Sequence, residues 1–218
     1  NFTSWLGQGI PTQGALSIRI NYLKIKSLLL KTATPFTAPA VVNGAIVQDF
    51  SLEQYIGDKY VVLFFYPKDF SGICPTEMWA IQESLPAFEK RNAVAIGVST
   101  DTEEVHQAWI NTPRDKNGIE GITFPLIADT AKTISANYSA LAGYADFDEE
   151  GNAAFIGAPI ALRTTIIINK EGIIFYEAHN FFTLARSIPN VIRELDALQN
   201  FEVNGEVCLA NWKSEVAV

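Results

Sequence analysis

The chain has 218 residues, 48% of them apolar and 11% aromatic, which is enough to bury one sizeable hydrophobic core. Its formal net charge of −8 excludes a dominant nucleic-acid-binding role, because binding phosphates requires clustered Lys and Arg that this chain lacks. The apolar run 28–30 is too short to span a bilayer, so we expect no membrane contact.

Residues 1–30 are expected to form an N-terminal extension. Before Asp49 the charged residues are all basic, and Gly and Pro interrupt any regular pattern in the first 14 positions. This composition weakly resembles a transit peptide, so targeting to an organelle is an alternative to the cytoplasmic location that we otherwise predict.

From Val41 onward the pattern predicts regular structure. Asn43-Gly44, between two apolar pairs, favours a hairpin turn. The continuous apolar run 60–66 is typical of a central strand that is buried on both faces. Strands and helices then alternate, and Pro86 is expected to kink the first helix. In chain order the alternating segments are helix 76–91, strand 93–98, helix 102–111, strand 124–128 and helix 131–138.

The second half of the chain predicts an antiparallel hairpin of strands 164–168 and 173–176, followed by a last helix at 183–198. The fold class is therefore α/β: a thioredoxin-like sandwich, with a central mixed β-sheet flanked by helices. We expect one such domain at residues 31–199 and a C-terminal tail at residues 200–218.

Cys74 and Cys208 are the two cysteines, and their separation excludes a CxxC redox pair or a local zinc clip. Cys74 follows the buried strand at the start of a predicted helix, where free backbone N–H groups and the helix dipole favour a thiolate. Ser71 can cap this helix or donate its hydroxyl towards the sulfur. A reactive thiol at this position needs exposure to solvent, and the alternative is a small buried apolar residue. On its local sequence alone, we interpret Cys208 as an incidental residue of the tail.

The two histidines, His106 and His179, suggest a Cys-His hydrolase, but nothing in the sequence brings either of them near Cys74. We interpret both as surface residues or as buried residues with satisfied hydrogen bonds. Neither has metal-ligand spacing, and Gly-rich phosphate-binding motifs are absent. We therefore expect no metal and no cofactor.

The segment 67–77 resembles the peroxiredoxins, whose signature is Pro, three residues, Thr or Ser, two residues, and then the peroxidatic Cys. Pro67, Ser71 and Cys74 occupy these positions. The segment 205–212 is similar to the family's resolving-cysteine motif. Together with shorter matches between them, the resemblance covers about residues 31–215.

The resemblance implies a typical two-cysteine thiol peroxidase, related to the bacterial alkyl hydroperoxide reductase C proteins and to thioredoxin peroxidases. In such an enzyme Cys74 attacks a hydroperoxide and Cys208 of a second subunit resolves the product as an intersubunit disulfide. Pro67 shields the sulfur. Arg163 matches a family arginine whose charge favours the thiolate and polarises the O–O bond, and an ordinary surface ion pair is the alternative for this residue.

The resemblance also implies the partners. These are a hydroperoxide substrate, a thioredoxin or a flavoprotein disulfide reductase as reductant, and a second copy of the chain in a homodimer, five of which form a decamer. A different class of function is a chaperone or redox-signalling module with the same fold. A dithiol oxidoreductase is disfavoured, because Ser71 stands where thioredoxin-type chemistry needs a second cysteine.

The chain departs from the family pattern at several places. Ser71 replaces the commoner Thr, and Leu209 stands where Pro is usual. The stretch 142–160 is expected to be a longer loop than in relatives. The Gly-Gly-Leu-Gly motif of overoxidation-sensitive members aligns with residues 117–120, which read Asn-Gly-Ile-Glu. We therefore expect relative resistance to overoxidation.

Overall fold

The computed structural model describes residues 25–148 and 150–213, and the expectations for residues 1–24 lie outside these ranges. The strands of the described residues are β1 (Thr37–Val42), β2 (Ala45–Ser51), β3 (Tyr60–Phe65), β4 (Ala93–Ser99), β5 (Leu126–Ala128), β6 (Leu141–Phe147), β7 (Ala153–Ala161), β8 (Arg163–Ile168) and β9 (Ile174–Asn180). The α-helices are α1 (Cys74–Glu83), α2 (Leu85–Glu89), α3 (Glu103–Ile110), α4 (Thr133–Asn137) and α5 (Ile188–Asn204), and 3-10 helices lie at Leu52–Tyr55 and Arg114–Lys116.

Seven strands form one mixed sheet in the order β2-β1-β5-β4-β3-β8-β9. β3 pairs in parallel with β4, and β4 with β5, whereas β8 is antiparallel to β3. All six residues of β3 are buried, as the unbroken apolar run predicts for a strand covered on both faces. This arrangement confirms the thioredoxin-like sandwich with a central mixed sheet.

The sheet separates two apolar cores, because alternate residues of β3 face opposite sides. Val62 and Phe64 pack on the side that contains Cys74, with side chains of α1, α2, α3 and α5. Leu63 and Phe65 pack on the other side with α4. In the part of the chain that the structure describes, no helix is both long and apolar enough to cross a membrane.

The predicted turns and helix breaks are found, with shifted boundaries. Asn43 and Gly44 join β1 to β2 with φ values of 49° and 79°, as a tight hairpin turn requires. The chain bends at Ser84, so Pro86 lies in the first turn of α2, where its missing N–H breaks no hydrogen bond. The last helix begins at Ile188 rather than residue 183, and Gly205 ends it with φ 68°.

The expectation of a long loop at 142–160 is wrong, because this stretch forms an antiparallel hairpin of β6 and β7. Small residues allow the two strands to approach closely: a Cβ at Gly143 would lie 2.3 Å from the ring of Phe155. At the turn, Asp148 Oδ1 accepts the N–H groups of Glu150 (3.1 Å) and Asn152 (2.8 Å). The hairpin is rich in Ala and Gly, so its sequence lacks the alternation of large apolar and polar residues that marks a strand.

Candidate active site

Cys74 is the first residue of α1, and its side chain is fully buried (0% exposed). Arg163 begins β8, and the antiparallel pairing of β8 with β3 brings it to the end of β3 from which the chain leads to Cys74. Nη1 of Arg163 donates a hydrogen bond to the sulfur of Cys74 over 3.4 Å. The structure therefore brings these two predicted residues together, but the expected exposure of the thiol is wrong because α1 packs against the sheet.

Glu77 is buried one turn after Cys74 and joins two guanidinium groups. Its Oε2 accepts hydrogen bonds from Arg163 Nη1 (2.6 Å) and Arg186 Nη2 (3.0 Å). Its Oε1 accepts from the backbone N–H (2.9 Å) and Nε (3.1 Å) of Arg186. Two cations against one carboxylate leave a net positive charge beside the sulfur.

Arg186 also fixes the adjoining backbone. Its Nη1 donates to the carbonyl oxygens of Phe65 (2.8 Å) and Thr164 (3.0 Å), at the ends of β3 and β8 that lie together. Sequence analysis gave Glu77 and Arg186 no role. Glu77 stood in the quoted motif beside Cys74, whereas Arg186 fell within the predicted last helix (183–198) and lies instead in the irregular segment before α5.

The electrostatics of this cluster stabilise an ionised Glu77. Burial alone would raise the pKa of Glu77, but the charge and hydrogen bonds of Arg186, with the charge of Arg163, outweigh it and hold the pKa below its usual value. Because the folded pKa is the lower one, this stabilisation is fully present above the ordinary pKa of a glutamate and is lost as pH falls through the folded value.

Replacing Glu77 by Gln is expected to destabilise the protein by about 3 kcal/mol at neutral pH, because two buried guanidinium groups lose their counter-charge. The difference in melting temperature between wild type and Glu77→Gln should shrink as the solution is acidified below the ordinary carboxylate range. Thermal unfolding followed by circular dichroism at several pH values measures it. A difference that stays constant with pH would contradict the assigned ionisation of Glu77.

Pro67 and Ser71 lie in the loop that joins β3 to α1. Pro67 is buried. The Ser71 hydroxyl oxygen is also buried, and among the described residues it has no hydrogen-bond partner, so the expected cap or sulfur contact is absent from this structure. Asn117 holds the same loop, since its Nδ2 donates to the carbonyl oxygens of Phe70 (2.9 Å) and Ser71 (3.3 Å).

Cys208 lies in the segment that follows α5 and is half-buried. Its sulfur lies 3.7 Å from the carbonyl oxygen of Ala197 and 3.7 Å from Nδ2 of Asn200, both on the last helix of the same chain. Both cysteines are free. Within one chain the structure therefore does not join Cys74 to Cys208.

Among the described residues, neither histidine is hydrogen-bonded to a cysteine sulfur. His106 is buried with both ring nitrogens hydrogen-bonded, as expected. His179 meets the expectation only in part: its Nδ1 lies 2.9 Å from the hydroxyl of Thr164, but its buried Nε2 has no partner in the residues described. The same residues contain no group of three or more His, Cys, Asp or Glu that could hold a metal ion.

Comparison with known proteins places this geometry in a family. The AhpC/TSA family model matches residues 30–177, which include Cys74, Glu77 and Arg163. The chain belongs to the AhpC/TSA family. It is similar to alkyl hydroperoxide reductase C of Helicobacter pylori, with 40% identity over 187 residues, covering 85% of this chain and 87% of that protein. It is also 40% identical to peroxiredoxin-2 of Mus musculus over 183 residues, covering 84% and 85% of the two chains.

Solved structures agree with this AhpC/TSA assignment. The reduced 2-Cys peroxiredoxin of Plasmodium vivax superposes with a TM-score of 0.77 at 34% identity, covering 88% of this chain and 92% of that one. Enterococcus faecalis AhpC superposes with a TM-score of 0.70 at 28% identity, covering 84% and 100%. Within the family the chain is therefore a typical 2-Cys peroxiredoxin, a thiol-dependent peroxidase.

Proposed function

We propose that this peroxidase reduces hydrogen peroxide and organic hydroperoxides, with Cys74 as the peroxidatic residue. The observation that carries the proposal is the sulfur of Cys74 at the first position of α1, 3.4 Å from a guanidinium nitrogen of Arg163. A helix N-terminus and a buried cation both favour a thiolate, and the thiolate is the nucleophilic form of cysteine.

In the first step the Cys74 thiolate attacks the terminal oxygen of the hydroperoxide. An S–O bond forms as the O–O bond breaks, so sulfur is oxidised to a sulfenic acid and the peroxide is reduced. The departing oxygen carries negative charge and leaves as water or an alcohol after protonation. Arg163 already points its Nη1 at the sulfur, so it can stabilise that developing charge. Buried Pro67 excludes water, and Ser71 supplies a free hydroxyl that can hydrogen-bond a bound oxygen.

In the second step Cys208 of another copy attacks the Cys74 sulfenic acid, forming an S–S bond and releasing water. Two observations support a partner in trans. Cys208 lies against its own α5 rather than beside Cys74, and both sulfurs are free. Since Cys74 is fully buried, the loop before it and the start of α1 must open locally before a second sulfur can reach it.

The assembly extends the same proposal. β9 pairs only with β8 among the described strands, which leaves a sheet edge that a second copy can extend into a dimer. We propose that five such dimers form a decamer, that thioredoxin or a flavoprotein disulfide reductase reduces the disulfide, and that the protein is cytoplasmic. A chaperone or signalling module without turnover is not favoured, since the matched relatives carry the names of enzymes.

Mixing two variants tests the route of disulfide formation. Cys74→Ser retains the resolving thiol, and Cys208→Ser retains the peroxidatic one. After one equivalent of hydrogen peroxide, neither variant alone should give a Cys74-Cys208 disulfide, whereas the mixture should give a dimer on a non-reducing gel that dithiothreitol dissolves. Wild type that forms the disulfide within single chains, seen as a monomer lacking two hydrogens by intact mass, would contradict resolution in trans.

A further inference from the structure

The loop 66–73, which joins β3 to α1 and carries Pro67 and Ser71, is fastened by one buried carboxylate. Asp69 is 1% exposed. Its Oδ1 accepts the hydroxyl of Tyr66 (2.9 Å), its Oδ2 lies 2.7 Å from Nδ1 of His106, and its backbone N–H donates to Oδ2 of Asp101 (2.8 Å). His106 belongs to α3, so the Asp69–His106 pair ties the active-site loop to a different element of the fold.

This pair must contain a proton between its two members. His106 is 0% exposed, and its Nε2 lies 3.2 Å from the carbonyl oxygen of Ile127 in β5. A carbonyl oxygen only accepts, so Nε2 carries a hydrogen. Nδ1 and the Asp69 carboxylate then face each other at 2.7 Å, and without a further proton both would be acceptors. Loss of that proton leaves two buried acceptor atoms, His106 Nδ1 and Asp69 Oδ2, facing each other with no hydrogen between them, and this cost favours separating them.

Two further titratable groups face the pair, and of these Asp101 strengthens its hold on the proton, whereas the hydrogen bond that Tyr66 donates stabilises the Asp69 carboxylate. They are Tyr66 at the end of β3 and Asp101 after β4, and Asp101 Oδ2 also accepts the hydroxyl of Ser99 (3.3 Å). Burial raises the pKa of Asp69, and the hydrogen bond and charge of His106 offset this only in part. Burial alone would lower the pKa of His106, but the hydrogen bond and charge of Asp69 outweigh it and raise the pKa.

We propose that Asp69 and His106 are positioning residues that act as a proton-controlled clasp on loop 66–73, and so set how readily buried Cys74 opens towards a resolving thiol. The functional part of this inference rests on the proposed two-step mechanism. The folded pair binds a proton that the separated residues lose near neutral pH, so the closed loop loses stability as pH rises. Higher pH therefore releases the loop and speeds resolution.

Lower pH has the opposite effect. A closed loop keeps the Cys74 sulfenic acid in its pocket, where a second hydroperoxide can transfer another oxygen and leave a sulfinic acid with release of water or an alcohol. Resolution and overoxidation compete for the same sulfenic acid. The clasp thus makes the share of overoxidised protein greater at acidic pH than at alkaline pH.

The variant Asp69→Asn distinguishes the effect of the shared proton from the effect of the hydrogen bonds around Asp69. The introduced amide can donate to neutral Nδ1 of His106 and accept from Tyr66, so each bond is kept and the titration is removed. Asp101→Asn is the matched control, since it removes a neighbouring carboxylate and leaves the pair intact. Hydrogen exchange of peptides covering 66–73 is measured by mass spectrometry on the reduced full chain, from about pH 6 to about pH 9, after correction for intrinsic exchange rates.

In wild type and Asp101→Asn, the opening of the loop is expected to increase with pH by up to about tenfold per pH unit. In Asp69→Asn the opening of the loop should be nearly constant with pH. The rate of disulfide formation after one equivalent of hydrogen peroxide should then depend less on pH in this variant than in wild type. Equal slopes in wild type and Asp69→Asn would overturn the clasp. If Asp69→Asn does not fold, the measurement on wild type alone tests the clasp. Protection of residues 66–73 from hydrogen exchange that does not fall with rising pH also overturns the proposal.

The exchange measurement uses no peroxide, so it tests the clasp even if the proposed mechanism fails. A pH-dependent opening in a protein that forms no disulfide would retain the clasp and reject resolution by Cys208. Disulfide formation in a protein whose loop opens independently of pH would reject the clasp and retain resolution by Cys208.

Discussion

Cys74→Ser is expected to lower hydroperoxide turnover to the rate measured without protein. A serine hydroxyl at this position is not ionised near neutral pH and is a far weaker nucleophile than a thiolate. Arg163 and the N-terminus of α1 cannot compensate, because they act on the charge of the sulfur. The rate is followed by peroxide consumption with dithiothreitol as reductant, which removes any dependence on a protein reductant.

Cys208→Ser is the matched control for this substitution, since it also replaces a thiol by a hydroxyl. It should retain the first oxidation of Cys74 at close to the wild-type rate while forming no intersubunit disulfide. A Cys74→Ser protein that keeps most of its peroxidase activity would exclude Cys74 as the nucleophile, whatever the behaviour of the control.

Arg163→Gln is expected to slow the reaction of Cys74 with hydrogen peroxide by about 10²–10³-fold, the usual effect of removing one donor that stabilises developing negative charge. The substitution removes the hydrogen bond to the sulfur and one of the two cations beside Glu77. The rate constant of Arg163→Lys should fall between those of wild type and Arg163→Gln. Lysine keeps the charge but lacks the planar guanidinium, whose Nη1 contacts Cys74 and Glu77 while its Nε donates to the carbonyl oxygen of Phe182. Stopped-flow tryptophan fluorescence gives the second-order rate constant.

Lys90→Gln provides the control for charge, because it removes one positive charge from an exposed position at the end of α2. Its rate constant should match that of wild type. Arg163→Gln is expected to fold, because Glu77 keeps its contacts with Arg186. Circular dichroism checks that the variant is folded. A folded Arg163→Gln protein as fast as Lys90→Gln would remove Arg163 from the mechanism.

Sequence analysis predicted those parts of the molecule that depend on local pattern. The apolar run at β3 and the Asn43-Gly44 turn each specify their own conformation. The position of Cys74 at a strand-to-helix junction followed from the same local pattern. Its pairing with Arg163 followed from the resemblance, which supplied the long-range information that single residues do not carry.

The missed features depend on contacts distant in sequence or on weak patterns. Arg186 reaches Glu77 across 109 positions from a segment that the sequence pattern placed in the last helix, so local periodicity could not predict this contact. The strands β6 and β7 approach each other closely at Gly143. The small residues that allow this approach give the hairpin a composition typical of a loop. The burial of Cys74 was also missed, since a reactive thiol was expected to be exposed to solvent.

The central claim is that peroxide oxidises the sulfur at position 74 before any other atom of the protein. Cys208→Ser protein is mixed with one equivalent of hydrogen peroxide, quenched within the first turnover and digested for mass spectrometry. We expect one added oxygen on the peptide containing Cys74, reversible by dithiothreitol, and none on other peptides. Oxygen found first on another residue, with Cys74 still reduced, would contradict the mechanism.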